Sequence, residues 1–193
     1  NDAFPGSHPL FVGPLGYNGS KAAMELIKQA DVVFALGTRL NPFSTLPGYN
    51  LDYWPNEAKL IQVDINPDRI GLTKPVTVGI VGDSKKVAEQ ILSRLTDSAG
   101  DTGRDERRKQ IADKKAVWAK TLSSMDFEED DPGTTWNERV RKRQPDHMSP
   151  RMVWRAIMAA LPKDAIISSD IGNNCAIGNA YPTFESGRKY LAP

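Results

Sequence analysis

In a sequence of 193 residues, DIGNN at residues 170–174 carries the sharpest chemical signal. It follows the apolar run AIIS, and open α/β sheets place ligands at the carboxyl ends of their strands. Gly172 lets a ligand come close to the backbone, and Asn173 and Asn174 can donate amide hydrogens to a phosphate. The same residues also suit an Asx-rich turn with no ligand, and both readings stay open. The stretch GPLGYNG at residues 13–19 has the form G-x-x-G-x-x-G and opens a helix, whose N-terminus can face an anion. It departs from the dinucleotide fingerprint G-x-G-x-x-G, so a purely structural turn explains it as well. Asp64 ends a strand in the manner of an acid that holds a ribose hydroxyl. It lies about 45 residues beyond the glycines, more than twice the usual spacing, and reads instead as a bond to the turn at Asn66. Asp83, after Gly82, reads as an N-cap.

Other chemistries find little support. His8 and His147 sit in separate proline-containing loops without partners at zinc spacing. Cys175 is the one cysteine, which excludes an internal disulfide and fits a reducing compartment. Followed by Ala176 and Ile177, it reads as a packed small residue rather than a nucleophile. The 25 Lys and Arg residues against 24 acids leave a net charge of +1, so no global field attracts nucleic acid or anionic lipid. The basic clusters RDERRK and RVRKR lack interleaved stacking aromatics, and no nucleic-acid partner is expected. Apolar runs such as VVFAL are strand-sized, far below the ~18 residues of a spanning helix, so no membrane role is expected. The opening NDAFPGSHPLFVGPLG has neither a basic nor an apolar leader region. The default location is cytoplasmic.

The elements that must position these residues read as a parallel α/β sheet. Ser20 caps a helix with Ala23, Leu26, Ile27 and Ala30 on one face. Residues 32–36 are short and uniformly apolar, which predicts a strand covered on both faces. Residues 41–56 hold three prolines and four aromatics, which argues against helix and central strand alike. Strands at 60–65 and 76–81 follow, then a helix at 84–95. Ile111, Trp118, Leu122 and Met125 make one narrow stripe on a solvated helix. The acidic and basic blocks of residues 128–146 read as a surface connection. Ser149 and Pro150 open a helix with Val153, Ala156, Ile157 and Ala160 on one face. A strand at 165–169 comes next, with no later element expected to pack against it.

Taken in order, GPLGYNG, ADVVFALGTRL, LIQVDINPDRIG, VGIVGD, a charged connector and SSDIGNN resemble the thiamine-diphosphate-dependent acetolactate synthase-like superfamily over essentially the whole chain. Within it, NDAFPGSHPLFVGPLGYNGSKAAMELI and DIGNNCAIGNAYPTFE look most like the branch that converts sulfoacetaldehyde and phosphate to acetyl phosphate and sulfite through acetyl-thiamine diphosphate. The resemblance implies a partial, Rossmann-like parallel-sheet central domain at residues 1–96. A charged interdomain connector at 97–148 and the truncated start of a second α/β, thiamine-diphosphate-binding domain at 149–193 would follow. It implies an internal fragment of an acyltransferase, inactive as this chain alone. The activating glutamate would lie before Asn1 and the GDG…NN magnesium ligands after Pro193, so no catalytic or metal residue is expected within the chain.

Only Gly172, Asn173 and Asn174 carry over, as cofactor-binding residues at the diphosphate; acetolactate synthases usually have Gln-His where this chain has Asn-Asn. Arg39, Arg69 and Arg188 are possible anion contacts. Some relatives bind FAD through segments matching GPLGYNG and LGTRL; here FAD is not expected and those segments are inherited scaffold. The partners implied are small molecules and, for the full-length enzyme, further copies of itself. Two alternatives remain: an acetolactate synthase-like enzyme acting on pyruvate, and a non-catalytic Rossmann-type binding module.

Overall fold

The computed structural model describes residues 3–16, 19–95, 103–127, 150–185, 187 and 189–191. Contacts divide the chain into two compact units, Pro14–Ile111 and a second made of Asn1–Gly13 with Ala112–Pro193. The expectations for Ser149, His147, Arg188 and the charged blocks of 128–146 fall outside the described residues.

In the first unit, helix α1 (Lys21–Ile27) begins where Ser20 accepts a hydrogen bond from the Ala23 amide at 3.3 Å. Its buried residues are Ala22, Ala23 and Met24, so the inward face is turned slightly from the expected one. Strands β1 (Val32–Leu36), β2 (Lys59–Asp64) and β3 (Val78–Val81) form a parallel sheet in that order, with Phe34, Ile61 and Val78 in one row. The α/β parallel sheet read from the sequence is therefore present.

Burial on both faces is realised only at the middle strand. Leu60 and Val63 of β2 are 3% and 0% exposed, whereas Val32, Phe34 and Leu36 on β1 stay at 41–47%. The reason is position: among the described residues β1 and β3 are the outer strands, and only β2 has a neighbour on each side. One face of the sheet carries the core of Ala35, Leu40 and Leu60, with Val33, Trp54 and Val76 packed against it. Residues 41–56 are mostly irregular as expected, but they include one helical turn, α2 (Pro42–Thr45), with proline at its first position where a missing N–H costs nothing. Helix α3 (Ser84–Leu92) starts at Asp83, whose carboxylate accepts from the Lys86 amide at 3.0 Å, and it ends short of the expected residue 95.

The most constrained side chain is Gln62, 1% exposed in the middle of β2. Its Nε2 donates to the carbonyls of Thr38 at 3.0 Å and Arg69 at 3.2 Å, and its Oε1 accepts from the Gly71 amide at 2.9 Å. One amide thus ties the loop after β1 to the loop after β2. Tyr53 is 1% exposed and donates to the Ser44 carbonyl at 3.3 Å.

Helix α4 (Arg104–Phe127) is the solvated helix expected from its charges, with Ile111, Trp118 and Leu122 half-buried; the Met125 side chain lies outside the described set. In the second unit, helix α5 (Pro150–Ala160) leaves its expected inner face exposed, with Val153 and Ile157 each at 38%. The correction has a steric cause: the Trp154 ring closes on Gly178, which turns the opposite face of the helix inward. Strand β4 (Ile167–Ser168) is shorter than expected and does have partners. Strand β5 (Tyr190–Leu191) pairs with it in parallel, and helix α6 (Asn173–Ala180) lies between them in sequence.

Replacing Gln62 with leucine removes the buried partner of the Thr38 and Arg69 carbonyls and of the Gly71 amide. Gln62→Leu is expected to destabilise this unit by about 2–4 kcal/mol, read as a fall in the urea midpoint. Burial raises the Tyr53 phenol above its ordinary value of 10.0, against a backbone hydrogen bond with Gly16 that lowers it. A raised folded value gives stability that is complete below the unfolded value and lost as pH climbs through the folded one. Melting temperatures measured from about pH 9 to 11 should fall more steeply for the parent protein than for Tyr53→Phe.

Candidate functional site

Two places collect the residues singled out by their chemistry, one in each unit, and each is described by itself.

The first is the turn between β4 and α6. Asp170 spends its carboxylate locally, accepting from the Ile171 amide at 2.7 Å. Gly172 has φ 116° and ψ −160°, a conformation essentially restricted to glycine, and a side chain there would meet nothing within 4 Å. Asn173 begins the helix and is exposed, while the Asn174 side chain lies outside the described set. As Gly172 is the N-cap, no side chain caps α6, so its first amides have no side-chain acceptor from the cap position. An uncapped helix start facing open space at the end of a parallel strand pair suits the oxygens of a diphosphate. Of the residues Gly172, Asn173 and Asn174, the described donors are the backbone at the start of α6 and the exposed side chain of Asn173. Cys175, in the first turn, is half-buried, and its Sγ accepts from Asn179 Nδ2 at 3.3 Å, as a packed residue would.

Nearby in the same unit, Trp154, Arg151, Arg155, Met158, Tyr181 and Thr183 line a hollow of about 230 Å³. The Arg151 guanidinium lies 5.6 Å from the Tyr181 ring centroid.

The second place is the carboxyl end of the three-stranded sheet. Arg39 follows β1 and Arg69 follows β2, both exposed, and Gln62 bonds the Thr38 and Arg69 carbonyls together. Asp64 is buried at 3% and accepts from the Asn66 amide at 2.9 Å, the local role read from the sequence rather than a ribose contact. The glycine stretch folds on itself. The Gly19 amide donates to the Gly16 carbonyl at 2.7 Å, the Ser20 amide to the Pro14 carbonyl at 2.8 Å, and a side chain at Gly19 would strike the backbone of residues 14–16. Its described atoms serve the structural turn. His8 accepts from the Leu10 amide through Nδ1 at 3.1 Å. Among the described residues no cluster of three or more His, Cys, Asp or Glu side chains could hold a metal ion, and no helix is long and apolar enough to cross a membrane.

Gln62 was not singled out from the sequence. A lone polar residue in an apolar strand, LIQV, was the signal for it. The contact of Ser7 with Glu185 spans 178 residues and leaves no local pattern to find.

The family model described as "Thiamine pyrophosphate enzyme, central domain" matches residues 1–91. The chain is 76% identical over 193 residues to sulfoacetaldehyde acetyltransferase of Roseovarius nubinhibens, covering all of this chain and 32% of that protein. It is 45% identical over 194 residues to sulfoacetaldehyde acetyltransferase of Castellaniella defragrans, covering all of this chain and 32% of that protein. Over 190 residues, 98% of the chain, it is 28% identical to the acetolactate synthase isozyme 3 large subunit of Escherichia coli, of which it covers 30%. The chain thus spans about a third of the length of the curated relatives it matches. The parallel sheet and the family match agree, and residues 1–91 are a central domain of the thiamine pyrophosphate enzymes.

Proposed function

We propose that this chain is part of a thiamine-diphosphate-dependent sulfoacetaldehyde acetyltransferase that joins sulfoacetaldehyde and phosphate to give acetyl phosphate and sulfite. The observation that carries this reading is the identity of 76% along all 193 residues to a protein of that name. In this reading residues 149–193 begin the cofactor-binding domain, and Gly172, Asn173 and Asn174 hold the diphosphate. An Mg²⁺ ion is held chiefly by other parts of the longer protein. That protein acts in the cytoplasm as a homo-oligomer on small molecules.

When bound, thiamine diphosphate supplies a nucleophilic carbon for the aldehyde and an electron sink beside it. In the net reaction the C–S bond breaks with its electron pair leaving on sulfite, the aldehyde hydrogen leaves as a proton, the methyl group gains one, and a C–O bond to phosphate forms. This chain's part is to bind and orient. The open backbone at Gly172 admits phosphate oxygens, and the amide at the start of α6 and the Asn173 side chain fix them.

The test uses the full-length protein with thiamine diphosphate, Mg²⁺, sulfoacetaldehyde and phosphate. Sulfite and acetyl phosphate should appear in equal amounts. Carbon dioxide from pyruvate with no sulfite release would replace this reading with the acetolactate synthase-like one. In the same protein Asn173→Ala should raise the Kd for thiamine diphosphate about three- to tenfold by titration of tryptophan fluorescence. Gly172→Ala should raise it more, because alanine cannot hold φ 116° without strain.

A further inference from the structure

The pairing of β4 with β5 is only two residues long on each strand. Its backbone bonds, Ile167 amide to Lys189 carbonyl at 2.7 Å and Ser169 amide to Leu191 carbonyl at 2.9 Å, fix two strands but not the helix between them. Helix α6 is placed instead by side chains. The Tyr190 hydroxyl reaches the Cys175 carbonyl, in the first turn of α6, at 3.5 Å. Gly178 is buried where the Tyr190 hydroxyl and the Trp154 ring meet, and the Tyr190 ring lies 5.7 Å from that of Phe184, 6% exposed.

Phe184 and its neighbours are held in turn by a segment from the other end of the chain. The Gly6 amide donates to the Phe184 carbonyl at 2.8 Å, and Gly6 lies directly against Thr183. Ser7 engages both oxygens of Glu185, its amide donating to Oε1 at 3.1 Å and its hydroxyl to Oε2. A charged acceptor satisfied twice by one residue is a directional contact, stronger than a neutral pair. A continuous series of contacts therefore runs from residues 6 and 7 through Glu185, Phe184 and Tyr190 to Cys175 and Gly178 of α6, the helix that the turn at residues 172–174 opens.

We infer that Ser7, Glu185 and Tyr190 are positioning residues for the diphosphate-binding turn formed by Gly172, Asn173 and Asn174. The inference rests on the proposed binding of thiamine diphosphate at that turn. None of the three touches the cofactor; they set where the first amides of α6 point, and small displacements of such donors weaken the grip on phosphate oxygens.

The experiment measures the Kd for thiamine diphosphate in the full-length protein, with Mg²⁺ present, by tryptophan fluorescence, alongside melting temperatures. Ser7→Ala and Glu185→Ala should each raise the Kd about three- to tenfold, and the double variant no more than the worse single one, since both remove the same contact. Glu185→Gln keeps an acceptor for the Ser7 amide and should stay within about twofold of the parent. Tyr190→Phe should weaken binding as the first two variants do. Ser7 and Glu185 are both exposed, so the melting temperature should barely move. If Ser7→Ala and Glu185→Ala leave the Kd unchanged while Asn173→Ala raises it, the binding turn stands and the positioning role is lost. Multiplying effects in the double variant, or Glu185→Gln as damaging as Glu185→Ala, would also overturn it. Binding indifferent to Asn173→Ala would remove the site itself, and the inference with it.

Discussion

The side-chain amide of Gln62 meets three backbone groups from two loops, and because it is buried at 1% exposure each of those bonds must be made inside the protein or lost altogether. That requirement fixes more than one residue. The Thr38 carbonyl belongs to the loop leaving β1, and the Arg69 carbonyl and Gly71 amide to the turn leaving β2, so the carboxyl ends of two strands are set against each other by one group. Thr73 adds a bond to the Leu40 carbonyl at 2.8 Å, and Leu40 is part of the core. A parallel pair has no tight hairpin to set its register, and long connections must be tied down by bonds of this kind.

The second unit uses a different solution. Its strands are too short to organise anything by themselves, and order comes from aromatic rings: Trp154 and Tyr190 close on Gly178, and Phe184 packs beside Tyr190. The candidate binding turn inherits its geometry from that packing. Gly172 supplies the open backbone, but where that backbone sits depends on residues far along the chain. One unit is thus braced by a buried polar side chain and the other by packed aromatic ones.

Much of the fold was legible because its signals are local. Ser20, Asp83 and Asp64 each bond an amide two or three residues away, and a short polar side chain ahead of an apolar pattern announces that role. The three apolar strands were legible for the same reason. The face of α5 was not, since its periodicity points to Val153 and Ile157 while the decisive contact is that of Trp154 with a glycine 24 positions later. Strand β5 was missed because two residues of strand carry no period. The site was half legible: DIGNN and its glycine could be picked out, whereas the residues that hold it in place are joined only by folding.

The segment that grips Glu185 belongs by sequence to the stretch matching the central domain, residues 1–91, and by contacts to the other unit. A domain boundary drawn from sequence similarity therefore cuts through a working contact. A chimera that borrowed this central domain for a related enzyme would import Ser7 and leave Glu185 behind, so recombination at that boundary would succeed only between parents that share both halves of the pair. Over evolutionary time the two short loops, PGSHP and YPTFE, would be expected to change together or not at all.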